Sequence, residues 1–130
     1  MWFDNAIHKE KINFMFNNEL SIDDVEFENF IYHDFSILRV QLRGKKLPVA
    51  VPKKWSKNIY NSFSIILTFG NVSTLNINGG KVGFECTPII KSTREETTLL
   101  IENKEFYLHC VAGFMAIDDI TPYLDQRWIK

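Results

Sequence analysis

The chain has 130 residues, 45% of them hydrophobic and 24% charged, with two cysteines. A chain of that size and balance can bury roughly two-thirds of its unfolded surface in a core of its own. Disorder, a second domain and a disulfide-built scaffold are therefore excluded. The net charge of −1 conceals a block pattern. Residues 1–34 carry two lysines against eight carboxylates, residues 35–84 carry eight Lys/Arg and no carboxylate, and residues 85–130 carry five Lys/Arg against eight carboxylates. Acidic flanks around a basic middle imply opposite charges on neighbouring strands, or else a partner surface of one sign.

The first element reads as a helix. Asp4 can cap it, and Ile7, Ile12, Met15, Phe16 and Glu19 approximate a one-sided stripe, with Asn17 and Asn18 as stop signals. From Val25 the period falls to two: Val25, Phe27, Asn29 and Ile31 alternate with Glu26, Glu28, Phe30 and Tyr32. His33-Asp34 turns the chain into a second strand, with Leu38, Val40 and Leu42 facing opposite to Arg39, Gln41 and Arg43. The two make an acidic-then-basic hairpin. Residues 47–51, bounded by Pro48 and Pro52, read as an edge strand or extended connection, and residues 53–58 as an exposed turn.

The clearest strand places Phe63, Ile65, Leu67 and Phe69 on one face. Gly70-Asn71 turns it into a segment with Leu75 and Ile77 alternating. Gly79-Gly80 leads to Val82, Phe84 and Cys86. After a charged tip at residues 93–96 come Leu99 and Ile101, a turn at Asn103-Lys104, and then Phe106, Leu108, Cys110 and Ala112. A last strand through Met115 and Ile117 is expected to end at Pro122. About eight strands at this spacing, with one short N-terminal helix, predict a mainly β (α+β) domain: an antiparallel sandwich or strongly curved sheet.

Chemistry-bearing motifs are sparse. Of the three histidines, His8, His33 and His109, only His33 has a carboxylate as direct neighbour, and His33 and Asp34, being adjacent, point to opposite faces of a strand, which argues against a catalytic dyad. Cys86 and Cys110 lack the paired short spacing of a zinc site, share the parity of apolar neighbours, and read as buried thiols. Gly79-Gly80-Lys81-Val82-Gly83 has neither the Lys-Ser/Thr ending nor the helix of a phosphate loop. No catalytic residue, cofactor or metal site is expected. Residues 58–80 form the longest uncharged run, but Asn, Ser and Thr interrupt it throughout, which excludes a membrane span. The opening residues lack the layout of a secretory leader, and two cysteines suit a reducing cytosol, so a cytoplasmic location is expected. The basic block has Arg39, Arg43, Lys45, Lys46, Lys53, Lys54 and Lys57 around Trp55 and Tyr60. It offers an alternative, a small barrel-like module binding nucleic acid or another ligand by phosphate attraction and ring stacking. The pI of about 6.3 argues against a polyanion partner.

The chain resembles the Immunity protein 50 family of bacterial polymorphic toxin systems. The resemblance is carried by Met1-Trp2-Phe3, the acidic strand Asp24-Val25-Glu26-Phe27-Glu28, and Pro52-Lys53-Lys54-Trp55 ahead of Tyr60-Asn61. It continues through Gly70, Val72, Leu75, Ile77 and Gly79 to the ending with Phe106, Leu108, Cys110, Ile117, Ile120 and Tyr123-Leu124. Val51 and Gly80 depart from the pattern, standing where a proline and an aromatic are usual. The resemblance implies a cytosolic antitoxin that neutralises a cognate toxin by direct binding and brings no catalytic residues. Complementary charge speeds and selects such encounters. The expected partner surface is therefore Asp23, Asp24, Glu26 and Glu28 against a basic, nuclease-like toxin, with Lys53, Lys54 and Trp55 as the competing face for an acidic one.

Overall fold

The computed structural model describes residues 1–17, 19–47, 51–57 and 59–128, without the side chains of Phe14, Met15 and Trp128. The stop signal at Asn18, the boundary at Pro48, the end of the turn at Asn58 and the side chain of Met15 in the apolar stripe lie outside the described residues. Among the described residues, nine strands form two antiparallel sheets. One is ordered β5-β1-β2-β3-β9 and the other β4-β8-β7-β6. The strands are β1 (Val25–His33), β2 (Ile37–Gly44), β3 (Ser62–Gly70), β4 (Thr74–Asn78), β5 (Phe84–Cys86), β6 (Ile89–Ser92), β7 (Thr97–Asn103), β8 (Phe106–Ala112) and β9 (Phe114–Tyr123). The mainly β architecture is the one expected, with β6 as an element that the alternation does not signal.

One core joins the two sheets. Leu38, Val40 and Leu42 of β2 and Phe63, Ile65, Leu67 and Phe69 of β3 face Leu99, Ile101, Leu108 and Cys110 of the other sheet, all fully buried. Phe27, Phe84 and Phe106 meet at the seam, with centroids 5.3–5.6 Å apart. These tilted pairings suit the ring quadrupoles. Period-two side chains on β8 thus bury one face, and β3 buries its apolar face together with Ser62 and Ser64 on the other.

Two strands pass between the sheets at a corner. β3 gives way to β4 through residues 71–73, and β8 to β9 through Gly113 alone. The Gly113 N–H donates to the Gly70 and Asn71 carbonyls at 2.9 and 3.1 Å. A Cβ at Gly113 would press on the Asn71 side chain at 3.0 Å, so the close approach explains the glycine. Corners where strands change sheets are a recognised way to fold one ribbon into two layers.

Two bulges re-aim side chains. One falls between Phe27 and Asn29 opposite β2, the other opposite the Ile66/Leu67 step of β3 in β9. The first inserts Glu28 and reverses the parity beyond it: Phe30 turns toward Phe27 and Phe106, while Ile31 is exposed. The expected inward Asn29 and Ile31 are corrected accordingly, because an extra residue swaps every later side chain to the other face.

The helix, α1 (Glu10–Met15), is shorter than its stripe predicts and begins after Asp4 and Ile7. Lys9 occupies its N-cap without a side-chain cap bond. Ile7 instead bridges Ala116 on β9, its N–H donating to the Met115 carbonyl at 2.8 Å and its carbonyl accepting from Ile117 at 3.0 Å. That contact covers part of an edge strand, where unpaired backbone groups are a liability. β9 extends to Tyr123 and includes Pro122, which an edge tolerates because it has no ladder bond to donate there.

Candidate functional site

The acidic strand does not present a bare negative surface. Glu28 lies 2.7 Å from Arg43, both side chains mostly covered at 14% and 16% exposure. Glu26 lies 2.7 Å from Arg127. Asp24, which opens β1 with φ 52°, lies 3.2 Å from Lys46. Asp23 is exposed, forms no ion pair among the described residues, and donates its N–H to the Ser21 hydroxyl at 3.0 Å. Of the four carboxylates expected to face a partner, three are balanced within the fold by basic residues, two of these on the neighbouring strand and its end.

The balancing follows from registry. Glu26 stands opposite Arg43 across the β1–β2 ladder, and Glu28, two positions on and the extra residue of the bulge, shares its outer face. Asp118 is the extra residue of the second bulge; its carboxylate accepts from the Thr68 hydroxyl and lies 3.7 Å from Arg39. Each arginine of β2 therefore meets a carboxylate delivered by a bulge. Gln41, between them, donates to the Ser64 hydroxyl and accepts from the Asn29 amide at 3.0 Å each. Arg43 also stacks on the Tyr123 ring, 3.6 Å from its centroid, a cation–π contact. Burial pushes the Glu28 carboxyl up, with Arg43 opposing.

Arg127 and Asp125, which the sequence reading does not single out, close the network. Asp125 is buried and accepts from Arg127 Nε at 2.9 Å, a terminal guanidinium nitrogen at 2.6 Å, and the Arg127 backbone N–H at 3.1 Å. Asn61 brackets it, accepting from the Asp125 N–H at 2.8 Å and donating to its carbonyl at 2.9 Å. The Arg127 hydrogen bonds hold the Asp125 carboxyl down to about 2, against burial. A folded-state value below the ordinary one stabilises fully above the ordinary carboxylate range and less as pH falls through the folded value. Asp125→Asn is therefore expected to lower the denaturation midpoint at pH 7, and that difference from wild type to shrink between about pH 4 and pH 2. Paired urea titrations across that range check it.

The competing face divides. Lys53 and Lys54 are exposed on the 3-10 turn Lys53–Lys57, with no ion pair among the described residues. Trp55 is 1% exposed, its ring edge-on to Phe16 and Tyr60 at 5.4 and 5.5 Å. The expected exposed ring is corrected: the turn, closed by the Trp55 N–H on the Pro52 carbonyl at 3.0 Å, sends the indole inward to cap the core. A ring held there has no free stacking face. Trp2 is half-buried and donates its indole N–H to the Leu20 carbonyl at 2.9 Å. The ring of Trp128 is outside the described residues. Asp23, Trp2, Phe3, Leu20, Ile22, Ile89 and Ile90 line an open cleft of about 570 Å³.

Cys86 and Cys110 are free and sit in different sheets. Burial pushes both thiols up to about 11, so both stay protonated at neutral pH and are poor nucleophiles. His8 lies 3.4 Å from Glu10 on the surface, and His33 ends β1 opposite Ile37. Among the described residues no group of three His, Cys, Asp or Glu side chains is placed to hold a metal ion.

Fold and surface together define a small two-sheet β protein whose β1 carboxylates Glu26 and Glu28 are held by arginines. The family model for Immunity protein 50 matches residues 8–123, and the chain belongs to that family. Membership supports an immunity role in general. No curated protein and no solved structure matches the chain.

Proposed function

We propose that this chain neutralises a cognate bacterial toxin by direct, stoichiometric binding in the cytoplasm, with no bond made or broken. The match to the immunity family over residues 8–123 carries the reading. The test is calorimetric titration against an inactivated toxin domain from the neighbouring gene, together with growth of cells expressing the active toxin. One site per chain and restored growth are expected, and the absence of a complex overturns the reading.

The nucleic-acid alternative loses its stacking surface with the burial of Trp55, since a lysine turn alone supplies phosphate attraction without base contact. The acidic partner surface narrows to Asp23 and the rim around Asp24, because Glu26 and Glu28 are held by arginines. Against a basic toxin, Asp23→Lys is expected to slow association by about three- to tenfold at low ionic strength and to lose that effect in high salt. Stopped-flow association at two salt concentrations checks it.

A further inference from the structure

The most anomalous surface of the molecule is the tip of the β1–β2 hairpin. Only Asp34, Phe35 and Ser36 separate the paired residues His33 and Ile37. Phe35 (φ 66°) and Ser36 (φ 57°) are both left-handed. Tight hairpins with consecutive positive φ favour Asn-Gly or Asp-Gly, since a bulky side chain fits that backbone poorly. Phe35 pays this strain with no burial in return, at 91% exposure. The Ser36 carbonyl accepts from the Val72 N–H at 2.9 Å, which fastens the tip to the start of the segment between the sheets.

Other large apolar side chains share this end of the sheet. Ile31 is 54% exposed, Tyr32 48% and Phe114 41%. Phe114 stands opposite Gly70, its ring filling the space a Cβ would take. Ile31 lies in the cross-strand row running through Arg39, Thr68 and Ala116. A strained backbone holding a ring out in solvent, at the end of the sheet where Ile31 and Phe114 are exposed on the outer face, has the features of a docking element.

The geometry points to Phe35 as an anchor of the toxin interface at the opposite end of β1 from Asp23, inserting into an apolar pocket with a cationic rim. This rests on the reading of the chain as a toxin-binding immunity protein. The rim follows from Asp34, exposed beside Phe35 and without an ion pair among the described residues. A second copy of this chain is the poorer occupant. Its own apolar cleft, beside Trp2, Phe3, Ile89 and Ile90, carries Asp23, and would set that carboxylate against Asp34.

Phe35→Asn is the informative variant, because asparagine accepts left-handed backbone and the fold is retained. Its thermal midpoint is expected to equal or exceed wild type. Its affinity for the inactivated toxin domain is expected to fall by about 30-fold or more, as for a pocket-filling aromatic anchor. Asp34→Lys is expected to slow association in a salt-dependent way. Wild-type binding with Phe35→Asn affinity within threefold overturns the anchor and leaves the toxin-binding reading standing. Absence of wild-type binding overturns both. Sedimentation of the chain alone provides the other arm: self-association abolished by Phe35→Asn would make a second copy the occupant and overturn the proposal.

Discussion

Trp55→Ala is expected to remove about 3–5 kcal/mol of folding stability, the usual cost of emptying a core site of its largest ring. The indole is enclosed between α1 and the chain entering β3, with Phe16 and Tyr60 against its faces and edges. Its loss leaves a cavity that three separate segments would have to close. Trp55→Phe, which keeps an aromatic body, is expected to recover about half of that loss. Urea denaturation reads the effect. An exposed docking ring would behave in the opposite way, with stability within about 0.5 kcal/mol of wild type. Lys53 and Lys54 flank the same turn and are expected to tolerate alanine with almost no change in the midpoint.

Arg43→Ala is the second large effect, about 3 kcal/mol at pH 7. It strips Glu28 of its counter-charge in a mostly covered position and removes the cation over Tyr123. Glu26 and Asp125 also act on Glu28, and as like charges they favour its neutral form. Without Arg43 the Glu28 carboxyl rises further, so its folded-state value exceeds the unfolded one and protonation favours the folded chain. The defect is therefore expected to shrink from pH 7 to pH 5, and Glu28→Gln in the Arg43→Ala background to restore part of the stability at pH 7. A denaturation series on both variants at the two pH values checks the sign. In wild type Arg43 Nε has no hydrogen-bond partner among the described residues although it is buried, so the pair operates below its full hydrogen-bonding capacity.

The inward faces of β3 and β8 were readable because strict alternation has one burial solution in a sandwich. The hairpin was readable too, since acidic and basic strands in sequence pair favourably across a ladder. The bulge at Glu28 was not, because one inserted residue leaves composition and local hydrophobicity unchanged while reversing which of Phe30 and Ile31 is covered. β6 carries only four residues, Ile89–Ser92, half of them exposed, too few for a period to emerge. The helix stripe extended too far toward the N-terminus because Ile7 fits a helical spacing, yet its backbone serves the edge of β9.

The candidate surface was legible by strand and not by pairing. Glu26 and Glu28 stand out by alternation, but the arginine that holds Glu26 arrives from 101 positions along the chain. The buried carboxylate beside it, Asp125, looks like any acidic residue near a chain end until Asn61 brackets it. Trp55 misleads for a related reason. Lysines on both sides of a tryptophan describe a solvated turn, and only the three-residue pitch of that turn sends the middle side chain inward.

The corner at Asn71 and Gly113 has a mechanical consequence. Both layers are cut from the same doubled ribbon, folded at the crease where Gly113 bonds to Gly70 and Asn71. Parting them would have to open the core they share, with Phe63, Leu67, Leu99 and Leu108 at its centre. The least costly changes of shape therefore lie at the exposed periphery, where little apolar surface is buried.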